Sequence, residues 1–171
     1  MAKKVTESTK TQVSVQEIEE TQKEWADAII EIGALYIDGV NVDKIVACAK
    51  EHIKNLYNYD DEGGVLFKPT KAAKRPFRPT LESALSYFVG NALAPAGFNE
   101  DDGFATTPFI GVEFENTGFI LRDDSAITMG SYYFKTTAGD TVKAEYTFGY
   151  RRKGGKLVIE LHHSSLPYDP A

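Results

Sequence analysis

Four adjacent polar residues near the C-terminal end carry the side chains best suited to chemistry: His162, His163, Ser164 and Ser165. A histidine can accept or donate a proton near neutral pH, and a serine hydroxyl can hold an oxygen atom of a small substrate. They end a predicted strand over 157–165, whose side chains alternate between two faces. His163 and Ser165 share the face of the preceding apolar side chains. The alternation therefore predicts that these two enter a pocket, while His162 and Ser164 face solvent or a partner subunit.

The same periodicity leaves a structural interpretation open. His163 could be a hydrogen-bonded core histidine, and Ser165 could simply end the strand. Two acidic residues on the predicted strands, Glu145 and Glu160, could act as bases, although their positions favour solvent or an interface.

Metal ligands are scarce in this sequence. It has three histidines and one cysteine, Cys48, which cannot form an internal disulfide and is predicted to be buried in a helix. His162 and His163 point to opposite strand faces and cannot chelate one ion. A catalytic zinc needs three converging protein ligands, and the H-x-H and H-E-x-x-H spacings are absent. We therefore predict no metal cofactor.

Composition restricts the class of protein. The chain has 171 residues, 42% of them hydrophobic, with a net charge of -6. This is enough apolar content for one core, and we predict a flexible tail over 1–13 and a single domain over 14–171. The acidic balance argues against a nucleic-acid partner, and no apolar run is long enough for a membrane span. The polar start indicates no signal peptide, which predicts a cytoplasmic protein.

The first half of the sequence predicts helices. An S-x-x-E capping box begins at Ser14, and apolar residues at helical spacing then continue to about Gly39. A second amphipathic segment begins at Asn41 and ends before Asp60. Thr80 is a plausible N-cap for a third helix.

The second half alternates with a period of two. Short turns rich in glycine and aspartate separate the segments, which permits only antiparallel pairing. The predicted strands are 106–116, 125–136, 142–152 and 157–165, with a short strand at 65–67 and another piece at 119–121. Helices followed by a meander predict an α+β fold, with the helices packed on a strongly curved antiparallel sheet. Such a sheet forms a cone-shaped α+β barrel with a pocket inside.

A basic, proline-rich segment precedes the third helix. Five lysines and arginines and three prolines occur within 68–79. This loop could be a rim that attracts small anions, or only a solvated surface.

Several motifs resemble one enzyme family. They are E-L-H-H-S-S-L-P at 160–167, V-K-A-E-Y-T-F-G-Y at 142–150, and L-F-K-P-T-K-A at 66–72 followed by F-R-P-T and L-S-Y-F. Together they look like the iota class of carbonic anhydrases, over about 22–168. More distantly, the fold resembles the nuclear-transport-factor-2-like cone and the association domain of calcium/calmodulin-dependent kinase II.

The resemblance implies reversible hydration of CO2 to bicarbonate. Some members are described as metal-free and others as using manganese or zinc, and the scarce ligands favour the metal-free alternative. It also implies a pocket of hydroxyl groups, which we place on Thr70, Tyr87 and Ser165, while strand parity adds His163 as a proton relay. Tyr133 is a further candidate for substrate binding, because it aligns with a pocket arginine of the kinase association domain.

Two other functions remain open at this point. One is a homo-oligomeric association or small-ligand-binding module without hydration activity, and the other is an isomerase or cyclase that uses an acidic base. We also predict a homodimer through the outer sheet face, because the strands carry many aromatic residues: Tyr132, Phe134, Tyr146, Phe148 and Tyr150.

Overall fold

The computed structural model describes residues 11–61 and 64–170. It has three helices, α1 (Val15–Ile37), α2 (Val42–Leu56) and α3 (Leu81–Val89), and five strands, β1 (Leu66–Lys68), β2 (Phe109–Leu121), β3 (Ser125–Thr136), β4 (Thr141–Lys153) and β5 (Lys156–Ser165). Most of the predicted tail, 1–10, lies outside the described residues. Its last residue, Val13, is buried, and its backbone N–H donates to the Arg122 carbonyl at 2.9 Å.

The predicted helix starts are present. Ser14 and Glu17 form the capping box of α1, and the Glu17 carboxylate also pairs with the Arg152 guanidinium of β4 at 2.5 Å. This pairing and the Ser14 N–H lower the pKa of Glu17 to about 2. The Asn41 side chain caps α2, and Thr80 caps α3. None of the described helices is long and apolar enough to cross a bilayer.

The sheet is an antiparallel meander with one parallel strand added at its edge. Its order is β1-β5-β4-β3-β2, and β1 runs parallel to β5. The predicted break at 117–118 is wrong: β2 runs through it with an irregular register between Asn116 and Gly118. A local irregularity keeps both halves paired with β3, where a turn would have ended the strand.

The helices cover the concave face, and an aromatic core lies between the two layers. The Trp25 ring of α1 lies at the centre, with six aromatic or histidine ring centroids 5.8–6.5 Å away. The five strand aromatics that were expected to favour a dimer all point inward and are buried, namely Tyr132, Phe134, Tyr146, Phe148 and Tyr150. That argument for self-association is therefore wrong, because these rings fill the core.

The α+β architecture and the curved sheet are confirmed, but the sheet does not close into a barrel. Within the described chain, β1 and β2 are its two edges. The sheet is half-open and is covered by α1, which packs on β2 and β5, and by α2, which packs on β5 and carries α3.

Candidate active site

The end of β5 presents the opposite residues from those predicted. His162 and Ser164 are buried, with 2% and 1% of their surface exposed, while His163 is exposed and Ser165 half-buried. The cause is a bulge: Gly149 of β4 pairs with Leu161 and Tyr150 pairs with Ile159, so Glu160 has no partner. An extra residue in one strand reverses the facing of every later side chain.

Ser164 is the centre of a buried group of hydroxyls. Its Oγ accepts a hydrogen bond from the Tyr132 hydroxyl and is bonded to Thr70 Oγ1, in the loop after β1. Burial raises the pKa of Tyr132 to about 12, so this phenol stays protonated at neutral pH. Thr70, Tyr132 and Ser164 come from three separate segments, and we call them, with Tyr87, the hydroxyl cluster.

Tyr87 extends the hydroxyl cluster toward solvent. It is buried on α3, its hydroxyl accepts a hydrogen bond from the Lys71 N–H at 3.4 Å, and it also contacts Thr70. Burial raises its pKa far above that of a free tyrosine. Tyr87 and Lys71 line a groove of about 260 Å³ whose other walls include Asp102 and Phe104. This groove joins the hydroxyl cluster to the surface.

His162 stands behind the hydroxyl cluster and is itself held by a buried chain. Tyr57 O–H lies 2.8 Å from His162 Nδ1, and the Trp25 indole N–H donates to the Tyr57 oxygen at 2.9 Å. His162 Nε2 lies 3.4 Å from the Tyr132 oxygen. Burial, together with the neighbouring His163, lowers the pKa of His162 well below its usual range. The imidazole is therefore neutral.

Hydrogen bonds and an ion pair attach the basic segment to the rest of the structure at both of its ends. Lys68 Nζ donates to the Ser164 carbonyl at 2.9 Å, and burial lowers the pKa of Lys68. Arg78 is fully buried, and its guanidinium pairs with Asp101 at 2.6 Å. The Glu100 carboxylate accepts three backbone N–H groups of the loop, which lower its pKa to about 2. These contacts hold in place the loop that carries Thr70.

The structure brings together only part of the predicted set. Thr70 and Tyr87 meet in the hydroxyl cluster as expected. His163, Ser165 and Tyr133 lie on the outer face of the sheet, where the Tyr133 hydroxyl donates to the Glu115 carboxylate at 2.8 Å. The prediction that His163 and Ser165 enter the pocket is wrong, because the bulge in β5 turns both outward. Tyr133, a candidate from the likeness to the kinase association domain, lies on β3, outside the hydroxyl cluster.

Four residues of this region were not predicted as site residues: Tyr57, Tyr132, His162 and Ser164. One signal was present in the sequence. Gly149 interrupts the β4 pattern, and a glycine inside a strand often marks a bulge or a close backbone approach. A bulge in β5 opposite Gly149 predicts that His162 and Ser164, and not His163 and Ser165, face the pocket.

The hydroxyl cluster offers no set of metal ligands. Within 11–61 and 64–170, one trio of His, Cys, Asp or Glu side chains has its ligand atoms close together, Glu31, Cys48 and His52. It lies on α1 and α2, outside the hydroxyl cluster.

Comparisons with known proteins identify the family of this chain. A family model described as metal-independent carbonic anhydrase matches residues 16–166. A metal-independent carbonic anhydrase of Nostoc sp. is 37% identical over 159 residues, which are 92% of this chain and 75% of that protein. A cyanobacterial iota-carbonic anhydrase, solved in complex with bicarbonate, superposes with a TM-score of 0.85 at 35% identity, covering 92% of this chain and 94% of that one.

A more distant structure shares the fold alone. The putative calcium/calmodulin-dependent protein kinase II association domain of Xanthomonas campestris has a TM-score of 0.59 and 22% identity, over 90% of this chain and 88% of that one. It confirms the predicted likeness of architecture.

Proposed function

The chain belongs to the metal-independent carbonic anhydrases, and from that premise we propose that its reaction takes place at the hydroxyl cluster, Thr70, Tyr87, Tyr132 and Ser164, with His162 behind it. The activity is the reversible hydration of CO2 to bicarbonate, and it needs no metal cofactor. The observation that supports this placement is the Thr70–Ser164–Tyr132 contact, in which a half-buried and two buried hydroxyls converge beside a neutral imidazole.

We infer one consistent direction for this chain of hydrogen bonds. The Trp25 indole N–H can only donate, so the Tyr57 oxygen accepts it, and the Tyr57 proton is directed to its other partner, His162 Nδ1. Neutral His162 then carries its one proton on Nε2, toward the Tyr132 oxygen. The Tyr132 proton goes to Ser164 Oγ.

The same direction continues to the cluster's outer end. In this direction Ser164 accepts from Tyr132 and donates to Thr70, and Thr70 donates to the Tyr87 oxygen, which also accepts the Lys71 N–H. The Tyr87 proton is then free for a substrate oxygen. An arrangement that presents donors suits a product anion.

This arrangement supplies one part of what a metal supplies in other carbonic anhydrases, the stabilisation of developing negative charge. A metal lowers the pKa of bound water from about 15.7 to about 7. Here the Tyr87 hydroxyl, oriented by the rest of the hydroxyl cluster, stabilises the negative charge that develops on a CO2 oxygen as water attacks carbon, and a fixed donor can contribute several kcal/mol. The proton lost by water leaves through the groove, where Asp102 offers an exposed carboxylate.

The test compares two adjacent serines. Ser164→Ala removes the central hydroxyl, and the matched control Ser165→Ala changes its neighbour on the outer face. CO2 hydration is measured by stopped flow on chelator-treated protein with its metal content determined. We expect Ser164→Ala to lower kcat/KM by about 100-fold and Ser165→Ala to leave it near wild type. Equal rates for the two variants would place the reaction elsewhere.

We also propose that the chain forms a homodimer through the outer face of the sheet. Ile120 and Met129 are 54% and 59% exposed there, although both are large apolar side chains. Met129 lies beside a shallow depression of about 550 Å³ that His163 and Ser165 also line. A partner copy would cover these groups, and this is the face that the misplaced site residues occupy.

We propose a cytoplasmic location for the enzyme. Its one cysteine, Cys48, cannot form an internal disulfide, so the fold has no need of an oxidising compartment. Fractionation of cells that express a C-terminally tagged chain tests this, and recovery of the tag outside the cytoplasmic fraction would contradict it.

A further inference from the structure

Three potential metal ligands meet where α1 packs on α2. Cys48 and His52 are four residues apart on α2, which places them on one side of that helix, and Glu31 faces them from α1. Their ligand atoms all lie within 4.8 Å of one another, and Glu31 Oε2 is 2.7 Å from His52 Nε2. None of the three takes part in the hydroxyl cluster.

We propose that Glu31, Cys48 and His52 bind a thiophilic divalent cation of the Zn²⁺ class, at a site separate from the CO2 chemistry. Thiolate, imidazole and carboxylate are the ligands that zinc uses in proteins, and three of them leave a fourth tetrahedral position for water. Metal–ligand bonds of about 2.0–2.3 Å place tetrahedral ligand atoms roughly 3.3–3.8 Å apart. Small side-chain rotations bring the trio to that distance, because the Glu31–His52 contact, at 2.7 Å, is shorter than it and all spacings are within 4.8 Å.

The surroundings allow an ion to reach the trio and to be held there. The side chains of His52 and Glu31 are 30% and 56% exposed, so the ion arrives from solvent without opening the core. Both helices are anchored by buried apolar residues next to the ligands, Ile32 on α1 and Ala49 and Ile53 on α2. The backbone positions are therefore fixed, and the ion would replace the Glu31–His52 pair as the link between α1 and α2.

The ligand set selects among cations. A thiolate favours zinc, cobalt and cadmium, whereas Mg²⁺ takes oxygen ligands and retains its water. The C-x-x-x-H spacing is visible in the sequence, but the third ligand is 17 residues upstream of Cys48 and becomes a neighbour only through the packing of the helices.

The test uses Co²⁺ as a spectroscopic probe on the full, chelator-treated chain. We expect wild type to bind one equivalent with a thiolate-to-metal charge-transfer band that Zn²⁺ removes by competition and Mg²⁺ does not. Cys48→Ser should abolish the band, and His52→Ala and Glu31→Gln should each weaken binding roughly 10–100-fold or more. Glu24→Gln, exposed on α1, and His163→Ala, on the sheet, are matched controls that should bind as wild type does.

A second measurement separates loss of the site from loss of the fold. Zn²⁺ should raise the Tm of wild type and of both controls but not that of the three ligand variants. The circular dichroism spectra of the metal-free variants should match wild type. A Cys48→Ser protein that keeps the wild-type affinity for Co²⁺ would overturn the proposal, as would a wild-type protein without the band. CO2 hydration is not the readout, so the outcome is independent of the placement of the active site.

Discussion

Ser164 shows how a hydroxyl group gains a function from its surroundings. In water a serine hydroxyl is a weak acid and a weak base, but here it is buried and hydrogen-bonded to a tyrosine on one side and a threonine on the other. Its backbone carbonyl accepts from Lys68, so the strand end is fixed as well. A group that needs no reorganisation during the reaction is more useful to catalysis than a mobile one.

Tyr57 is the residue through which the orientation of His162 can be tested. Tyr57→Phe removes the proton that His162 Nδ1 accepts and the oxygen that Trp25 donates to, and leaves two buried groups without partners. We expect the unfolding free energy to fall by about 1–3 kcal/mol. We also expect kcat to fall more than KM changes, because Tyr57 positions the imidazole without touching substrate. Urea denaturation and stopped-flow kinetics measure both effects.

The matched control for this variant is the neighbouring ring. Tyr59 stacks on Tyr57 at a centroid distance of 5.9 Å, and its hydroxyl donates to the Arg78 carbonyl instead of to the histidine. Tyr59→Phe should cost stability while kcat stays near wild type. A Tyr57→Phe enzyme with the same kcat as Tyr59→Phe would show that His162 does not depend on this hydrogen bond.

At the scale of elements, the bulge in β5 explains which parts of the site could be predicted. Thr70 and Tyr87 follow from motifs that do not depend on strand parity, and the structure brings them together. Alternation along β5 predicts His163 and Ser165 on the inner face, and one unpaired residue, Glu160, reverses that alternation. A register irregularity depends on contacts between strands, so alternation along one strand cannot reveal it.

Gly149 is the residue that permits this bulge, and its substitution is a prediction about β4 and β5. A Cβ added at Gly149 would lie 2.8 Å from Leu161 Cβ, too close for either backbone to remain in place. We expect Gly149→Ala to lower the unfolding free energy by about 1–3 kcal/mol and to lower kcat, because His162 follows Leu161 directly. Chemical denaturation and CO2 hydration kinetics test this.

Gly118 is the control for that substitution. It also lies beside an irregular register, in β2, but a Cβ added there meets nothing within 4 Å. Gly118→Ala should leave both stability and kcat near wild type. If the two alanine variants behave alike, the close approach of Leu161 does not fix the strand end.

The link between the start of α1 and β4 predicts a pH dependence of stability. The Arg152 contact lowers the pKa of Glu17 from 4.5 to about 2. A depressed folded-state pKa gives stability that is present above the unfolded value and lost as the pH falls. We therefore expect the contribution of Glu17, about 1 kcal/mol or less because it is solvent-screened, to disappear as the pH falls from about 4.5 to 2.

Denaturant unfolding at pH 6 and pH 3 isolates this contribution. Glu17→Gln should be less stable than wild type at pH 6, and the difference should shrink at pH 3. Glu24→Gln, an exposed substitution on the same helix, should show no such convergence. A constant difference between wild type and Glu17→Gln would contradict the ionic origin of the effect.

At the scale of the whole molecule, composition indicated the class of fold but not the use of the aromatic residues. Apolar residues at helical spacing in the first half and alternating residues in the second correctly predicted helices packed on a sheet. The period of the apolar residues depends only on neighbouring positions in the chain, so it can be seen in the sequence. Whether Tyr132 and Phe148 serve a core or an interface depends on which face the sheet turns toward α1. The sequence period shows that two faces exist, and only packing decides which one is covered.

The proposed homodimer interface is the outer face of the sheet, and substitutions on that face test it. Met129→Lys places a charge in the middle of the exposed apolar surface, whereas Ile37→Lys changes a similarly exposed residue, 57% accessible, at the end of α1. A stable dimer buries about 800 Å² on each partner, so desolvating one lysine at its centre should shift the equilibrium strongly to monomer. Sedimentation velocity over a range of concentrations should show dimers for wild type and Ile37→Lys and monomers for Met129→Lys. If all three chains sediment as monomers, the outer face binds no partner copy and the proposal fails. If all three sediment as dimers, the dimer interface lies elsewhere.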